Sequence, residues 1–378
     1  MAKKAYIGVD GVARKIKKGY IGVDGVARRI KKAYIGIGGV ARPCWSGGQL
    51  AYYGLVGSSN PVYTNMAASQ TSAHAIFAGG HYYDYQTVTT KYSRRVDMWN
   101  KSLTHTYNEG GLMLGRSEMV ATSVGNNGVA GSYALFAGGT NGSITTTVDR
   151  VDTAGTVLLA ASLKTSRREM AATSTGIALF GGGHTGMTSN SLTTVDVYLP
   201  DLTKFPAEPF SLSVARCALA AASINNYAVF AGGLNGTTTV DIFDTNGLTR
   251  LSGAPLTTGR YKHVGVTVGK YMLFAGGNNG AYLDTVEVYD SSFTHLTSTV
   301  LCQARLAPTA TTVDGYAIIC GGGQSDYNRA DVYDESLTHT TMLMTGGVTY
   351  AACKVSATIG DFALFNGGES DAYAFTVR

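Results

Sequence analysis

The feature that most limits what this chain can become is a short apolar run closed by a glycine pair, Tyr227-Ala228-Val229-Phe230-Ala231-Gly232-Gly233, because versions of it occur seven times. The others are AIFAGG ending at Gly80, YALFAGG at Gly139, IALFGGG at Gly183, YMLFAGG at Gly277, YAIICGGG at Gly323 and FALFNGG at Gly368. With Gly79, Gly138, Gly182, Gly232, Gly276, Gly322 and Gly367 as the first glycine of each pair, the spacings are 59, 44, 50, 44, 46 and 45 residues. Recurrence at such a period denotes a repeat architecture. A run of about five apolar residues is too short for a helix, and the glycines mark a turn that needs positive φ, so each copy predicts an inner strand followed by a tight turn.

Each unit carries further runs. Val96-Asp97-Met98-Trp99, Val148-Asp149-Arg150-Val151, Val195-Asp196-Val197-Tyr198, Val240-Asp241-Ile242-Phe243, Val286-Glu287-Val288-Tyr289 and Ala330-Asp331-Val332-Tyr333 alternate as a half-buried strand does. Threonine-bearing runs such as Ser102 to Thr106, Leu248 to Leu251 and Leu337 to Thr340 suit an outer strand. Small-residue runs, among them Met119-Val120-Ala121-Thr122-Ser123 and Leu219-Ala220-Ala221-Ala222-Ser223, precede the glycine-ended strands and fit a crowded innermost position. Four short antiparallel strands per unit, seven units and a double glycine resemble the kelch type of β-propeller across residues 49 to 378. Tyr or Phe mostly stands where many kelch units carry tryptophan. The fold class expected is therefore all-β, a seven-bladed propeller. The seventh unit ends at Arg378 without residues for a fourth strand, so Gln49 to Leu55 is expected to supply it from the other end of the chain.

Composition agrees with a turn-rich all-β chain: 49 glycines and 15% charged residues in 378. No apolar run approaches the roughly 20 residues of a membrane helix, and Met1-Ala2-Lys3-Lys4-Ala5-Tyr6 leads into no signal-peptide core, so cytosolic synthesis and no membrane insertion are expected. Five cysteines without a CxxC pair fit reduced thiols. Cys320, Cys217, Cys302 and Cys353 read as core filler near inner strands. No cofactor and no metal is expected, since the linear sequence shows no ligand spacing.

Residues 1–48 are a separate arm. Residues 3 to 44 repeat every 14 as KKAYIGVDGVARKI, KKGYIGVDGVARRI and KKAYIGIGGVARPC, and Asp10-Gly11, Asp24-Gly25 and Gly38-Gly39 are two-residue hairpin signals. Val9 is expected to face Val12 and Ile7 to face Arg14, with Tyr6 and Lys15 on the opposite face. Three such ribbons bury too little to stand alone and need a partner. The arm holds eleven Lys/Arg and two Asp, a formal +9, against −4 for the remainder. That asymmetry admits an anionic partner such as nucleic acid. Lysines that keep strand edges soluble explain the charge better, and protein docking is favoured over nucleic acid. Tyr6, Tyr20, Tyr34, Arg14, Arg28 and Arg42 are the docking candidates.

Tandem KKAYIGVDGVARKI-like repeats running through ARPCWSGG into glycine-paired units resemble a group of phage and prophage virion proteins encoded among tail genes of low-GC Gram-positive bacteria. The resemblance implies an N-terminal particle-docking arm, present in multiple copies per particle, and a displayed C-terminal propeller. Localisation in the virion follows from it. The function so implied is a non-enzymatic virion structural protein that binds a host cell-surface glycan or protein as receptor-binding protein or accessory adhesin. The alternatives are a carbohydrate-active propeller enzyme and a purely structural decoration or scaffold.

Nothing in the sequence forms a catalytic constellation, and His105, His295 and His339 share one outer-strand slot as parts of the repeat. Two groups are candidates for binding. Arg116, Arg167, Arg216, Arg260 and Arg305 stand three residues before the innermost strands, with Tyr63 and Ala351 in units one and seven. They are expected on the face that carries Asp149, Asp196, Asp241, Glu287 and Asp331, either tying blades together through ion pairs or forming a cationic mouth. The longest loop, His81 to Tyr92, holds Tyr82, Tyr83, Tyr85 and Tyr92. Flat amphipathic rings on a long loop suit a sugar or protein ligand, though such a loop could instead cover the ring seam or pack on the arm.

Overall fold

The structure, a computed structural model, describes residues 50–377 apart from 59–62, 126–131, 206–209, 235–237, 323–327, 345–353 and 367–370, together with the backbone of six strands between Tyr6 and Ser46. No α-helix occurs among the described residues, and two compact units are present, Met1–Ala51 with Thr376–Arg378, and Tyr52–Phe375. In the first, Tyr6–Val9 pairs with Val12–Lys15, Gly19–Val23 with Val26–Ile30 and Lys32–Ile37 with Val40–Ser46, all antiparallel.

The second unit is a seven-bladed β-propeller. Its innermost strands are Ala67–Gln70, Val120–Val124, Ala171–Ser174, Ala220–Ile224, Val264–Val268, Thr309–Val313 and Val355–Ile359. Each touches the next, and the last touches the first, so the ring is closed. Behind each lies the glycine-ended strand and then the acid-bearing strand, in antiparallel order. The acid-bearing strands are buried on both faces rather than half-buried as their alternation suggests, because each blade is covered by neighbours on both sides. The core accordingly lies between blades: Ile76, Val96 and Met98 of the first pack against Leu112, Phe136 and Val151 of the second.

Innermost strands approach so closely that a Cβ on Gly265 would fall 2.4 Å from the Ala221 carbonyl oxygen. These strands pair on one side only, and hydroxyl groups answer for part of the other. Thr267 Oγ1 donates to Ser223 O at 2.7 Å and Thr358 Oγ1 to Thr312 O at 2.8 Å, which gives the Ser and Thr of the small-residue runs a bonding role as well as a steric one.

The last sheet runs Val355–Ile359, Phe362–Asn366, Asp371–Val377, Leu50–Ser58, so a strand from near the start of the chain forms its outer edge. It is held as other outer edges are. The aromatic of the third strand donates to the outer edge of the preceding blade: Tyr198 to Ala161 O, Tyr289 to Ala254 O, Tyr333 to Val300 O and, across the ring junction, Trp99 Nε1 to Val56 O at 3.0 Å. Tyr or Phe can replace tryptophan on this strand because Tyr keeps the donor and Phe keeps the ring. The outer strands begin later than the threonine runs suggest. Leu103, Leu202, Leu248, Phe293 and Leu337 are turn residues with φ of 51–68°, and an Asn or Asp such as Asn100 or Asp290 caps the turn. Among the described residues the sheet of the third blade has three strands, and its outer edge is marked by isolated bridges, Tyr198 to Lys204 and Thr194 to Ser211.

Candidate functional site

At one face of the propeller each blade both finishes its glycine-ended strand and receives the connection that leads to the next innermost strand. Backbone bridges pair the two connections there: Thr64 with His81, Ser117 with Thr140, Arg168 with His184, Cys217 with Leu234 and Tyr261 with Asn278. Immediately inside these bridges lies a ring of left-handed residues, Asn65, Glu118, Glu169, Ala218, Lys262 and Ala307, with φ between 51 and 56°. Non-glycine residues in this region cost of order 1 kcal/mol or more each and persist only where surrounding bonds impose them. Here the bonds are visible. Glu118 N–H donates to Asn65 O, Ala218 to Glu169, Lys262 to Ala218 and Ala307 to Lys262, a backbone collar about the axis. The collar frames a cavity of 820 Å³ whose lining includes Glu118, Glu169, Lys262 and Tyr282. Its size is that of a small-ligand site.

The arginines lie beneath this face and not on it. Arg116, Arg167, Arg216, Arg260 and Arg305 have no exposed surface, and each meets the acid of its own blade: Asp149 at 2.5 Å, Asp196 at 2.6 Å, Asp241 at 2.8 Å, Glu287 at 2.9 Å and Asp331 at 3.0 Å. Burial pulls the pKa of Arg116, Arg216 and Arg260 down, and the paired acid holds it up. Backbone makes the link to the preceding blade. The second glycine of each pair donates to the arginine carbonyl of the next blade, Gly80 to Arg116, Gly139 to Arg167, Gly183 to Arg216, Gly233 to Arg260 and Gly277 to Arg305. A Cβ on the first glycine would stand 2.4–2.8 Å from that same oxygen, which, beside positive φ, is why the pair is glycine. The guanidinium of each arginine therefore braces its own blade, while its backbone carbonyl receives the bond from the preceding one, and none of the five guanidinium groups is exposed.

Blade six shows the register of the pair. Gly321 O accepts from Arg305 as Gly276 O does from Arg260, so the first glycine there is Gly321, one residue earlier than the spacing in the sequence suggests. In blade one Tyr63 is buried, and the guanidinium on Asp97 comes from Arg95, which also meets Glu109 at 2.6 Å. Arg95 reaches its acid from two residues away, just before the strand Val96–Asn100, so counting back from the innermost strand misses it. Ala351 and Cys353 lie outside the described residues. The shared histidine slot has a use: His105, His295 and His339 place Nε2 2.8, 2.5 and 2.8 Å from the buried acids Asp97, Glu287 and Asp331, and Lys204 and Arg250 take the same role on Asp196 and Asp241. Cys302 is exposed beside Asp331 instead of filling the core, while Cys217 and Cys320 are buried.

The segment His81 to Tyr92 is a β-hairpin and not an irregular loop. His81–Asp84 pairs with Thr89–Tyr92, and Asp84 closes the turn by accepting from Gln86 N, Thr87 N and Thr87 Oγ1. Tyr82 leans on buried Tyr63 at the base, with ring centroids 5.8 Å apart. Tyr83 and Tyr85 meet edge to face at 5.0 Å near the tip, and Tyr85 is 85% exposed. Tyr92 is half-buried at the base beside His81. The hairpin thus presents two rings in edge-to-face contact on a backbone stiffened by cross-strand bonds. The side chains of Tyr6, Tyr20, Tyr34, Arg14, Arg28 and Arg42 lie outside the described residues; their backbones place Ile7 opposite Arg14, Ile21 opposite Arg28 and Ile35 opposite Arg42.

Solved structures are similar to this chain. Among them, the structure of YjhT aligns with a TM-score of 0.57 at 12% identity, over 75% of this chain and 99% of that one, a likeness that speaks for the fold alone. No protein-family model matches the chain, and no curated protein matches it.

Proposed function

We propose that this chain is a non-enzymatic, virion-borne binding protein with a kelch-type propeller, which engages a host cell-surface glycan or protein through the face carrying the tyrosine hairpin. The observation that carries the reading is the 81–92 segment, which forms a paired hairpin of two four-residue strands and exposes Tyr83 and Tyr85 as an aromatic pair. Tyrosines held this way offer contact area at little entropic cost. The basic repeats at 3–44 act in this proposal as a hairpin arm that docks the propeller to the particle, as in the virion proteins whose repeats they resemble.

The test is retention of the purified chain on cell-wall polysaccharide of the host envelope. We expect retention without saccharide release, and loss of retention in Tyr83→Ser/Tyr85→Ser with an unchanged melting temperature. Saccharide release would turn the reading to an enzyme. Binding to neither envelope nor particle would leave a structural scaffold.

A further inference from the structure

The collar, the residue after each glycine pair and the residue after each buried arginine repeat at equivalent positions around the ring, so the blades act as controls for one another. At the first junction these three positions hold Asn65, His81 and Ser117, and at the second Glu118, Thr140 and Arg168. The third holds Glu169, His184 and Cys217, the fourth Ala218, Leu234 and Tyr261. Among the described residues, only the third junction fills all three with groups of metal-ligand type, and their donor atoms lie within 4.8 Å of one another.

The geometry points to a zinc-type transition-metal site made by Glu169, His184 and Cys217 at the mouth of the propeller axis. Glu169 Oε2 and His184 Nε2 are 3.6 Å apart, beyond a good hydrogen bond. Two donors held at ~2.0–2.1 Å from one tetrahedral ion are about 3.3 Å apart, so a small closure of the pair suffices. The other carboxylate oxygen, Oε1, is 3.8 Å from Lys262 Nζ, which leaves Oε2 for the ion. Backbone sets the three loops against each other: Arg168 bridges to His184, and Ala218 N–H donates to Glu169 O at 2.9 Å, bringing Cys217 alongside. A thiolate, an imidazole and a carboxylate suit Zn²⁺ and not the hard cations Mg²⁺ and Ca²⁺, which take oxygen donors.

On binding, Cys217 releases its thiol proton to solvent, and His184 carries its remaining proton on Nδ1. That nitrogen now accepts from Gly186 N–H at 3.3 Å. Gly186 stands at a connection with open space about it, so this weak contact can be given up. Three protein donors leave a fourth position for water or for a ligand atom in the cavity that Glu169 lines. Because Cys217 belongs to the loop of blade four and the other two to blade three, the ion also pins adjacent blades. The site stands apart from the tyrosine hairpin, so it does not depend on the receptor-binding reading.

The experiment uses the full chain, stripped of metal and titrated with Zn²⁺ or Co²⁺ alone. We expect one Zn²⁺ per chain by elemental analysis, a thiolate-to-cobalt charge-transfer band with Co²⁺, and a rise in melting temperature on adding Zn²⁺. Cys217→Ser should abolish the band and weaken Zn²⁺ binding at least tenfold, whereas Cys302→Ser, which removes a thiol exposed elsewhere on the propeller, should leave both unchanged. His184→Gln, which keeps the thiol, provides a second variant should Cys217→Ser fold poorly, and it should lose the same tenfold. Substoichiometric zinc, absence of the band in the unsubstituted chain, or a band lost with Cys302 and kept without Cys217 would each overturn the assignment.

Discussion

Glu287 is the most heavily used of the buried acids, and replacing it by Gln tests whether the arginine modules hold the ring as ion pairs. Its carboxylate meets Arg260 Nη2 at 2.9 Å and His295 Nε2 at 2.5 Å, and accepts from Thr257 Oγ1 at 2.7 Å and from the backbone N–H of Thr257 and Thr258. Gln keeps the volume but carries one donor edge into a nest of donors and leaves Arg260 as an uncompensated buried charge. Breaking a buried pair from one side costs about 3–5 kcal/mol. Arg260 retains Gly276 O, Thr285 O and Thr258 O as acceptors, so the lower end, about 3 kcal/mol, is expected. At roughly 2 °C per kcal/mol for a large domain, the melting temperature at neutral pH should fall by ~6 °C.

Acidity gives the internal check. Burial by itself pushes the Glu287 carboxyl up, but the Thr257 hydroxyl, Arg260 and His295 outweigh it and hold the carboxyl below its ordinary 4.5. A carboxyl depressed in the folded state contributes stability that is fully present above its unfolded pKa and is lost as pH falls through the folded value. The gap between the unsubstituted chain and Glu287→Gln should therefore be constant from neutrality to about pH 5 and close at more acid pH. Thermal unfolding followed by circular dichroism across that range measures it. Arg260→Met/Glu287→Met, which removes both charges, should cost less than Glu287→Gln. An unchanged melting temperature in Glu287→Gln, or a gap that persists undiminished in acid, would refute the argument.

Two further substitutions separate close approach from backbone conformation. Gly138→Ala places a methyl 2.4 Å from Arg167 O at φ +65°, whereas Gly142→Ala has positive φ but nothing within 4 Å, so calorimetry should show at least twice the loss of melting temperature for Gly138. Deleting residues 1–44 should leave the melting temperature of the propeller nearly unchanged. Deleting 1–56 should lower it sharply, because the second cut removes most of the outer strand of the last blade and the carbonyl that accepts from Trp99. Equal values for the two truncations would show that this strand is not what closes the ring.

Much of the architecture could be read from the chain because it is written locally. A glycine-ended apolar run such as Tyr271 to Gly277 specifies a strand and its turn within seven residues, and its recurrence at about 45 residues specifies a ring of blades. The acid of each third strand was equally visible, since Asp149, Asp196, Asp241, Glu287 and Asp331 each hold the second place of a short alternating run. Whether the arginines faced solvent or the interior was not, because burial depends on the two neighbouring blades that enclose each sheet and not on the sheet's own alternation.

The donors at the axial mouth mark the limit more sharply. Glu169, His184 and Cys217 belong to three separate connections and match no linear spacing. They meet because bridges at one face stack the connections of adjacent blades, and a repeat period carries side chains from different units to neighbouring positions around the axis. Arg95 is a different case, a local contact that takes over on Asp97 from two residues away where Tyr63 holds the usual arginine position. Local sequence determined the strands, the turns and the number of blades, since these rest on interactions within one repeat. Ring closure decided which side chains are sealed in and which converge, because those depend on distances between repeats that only the closed propeller sets.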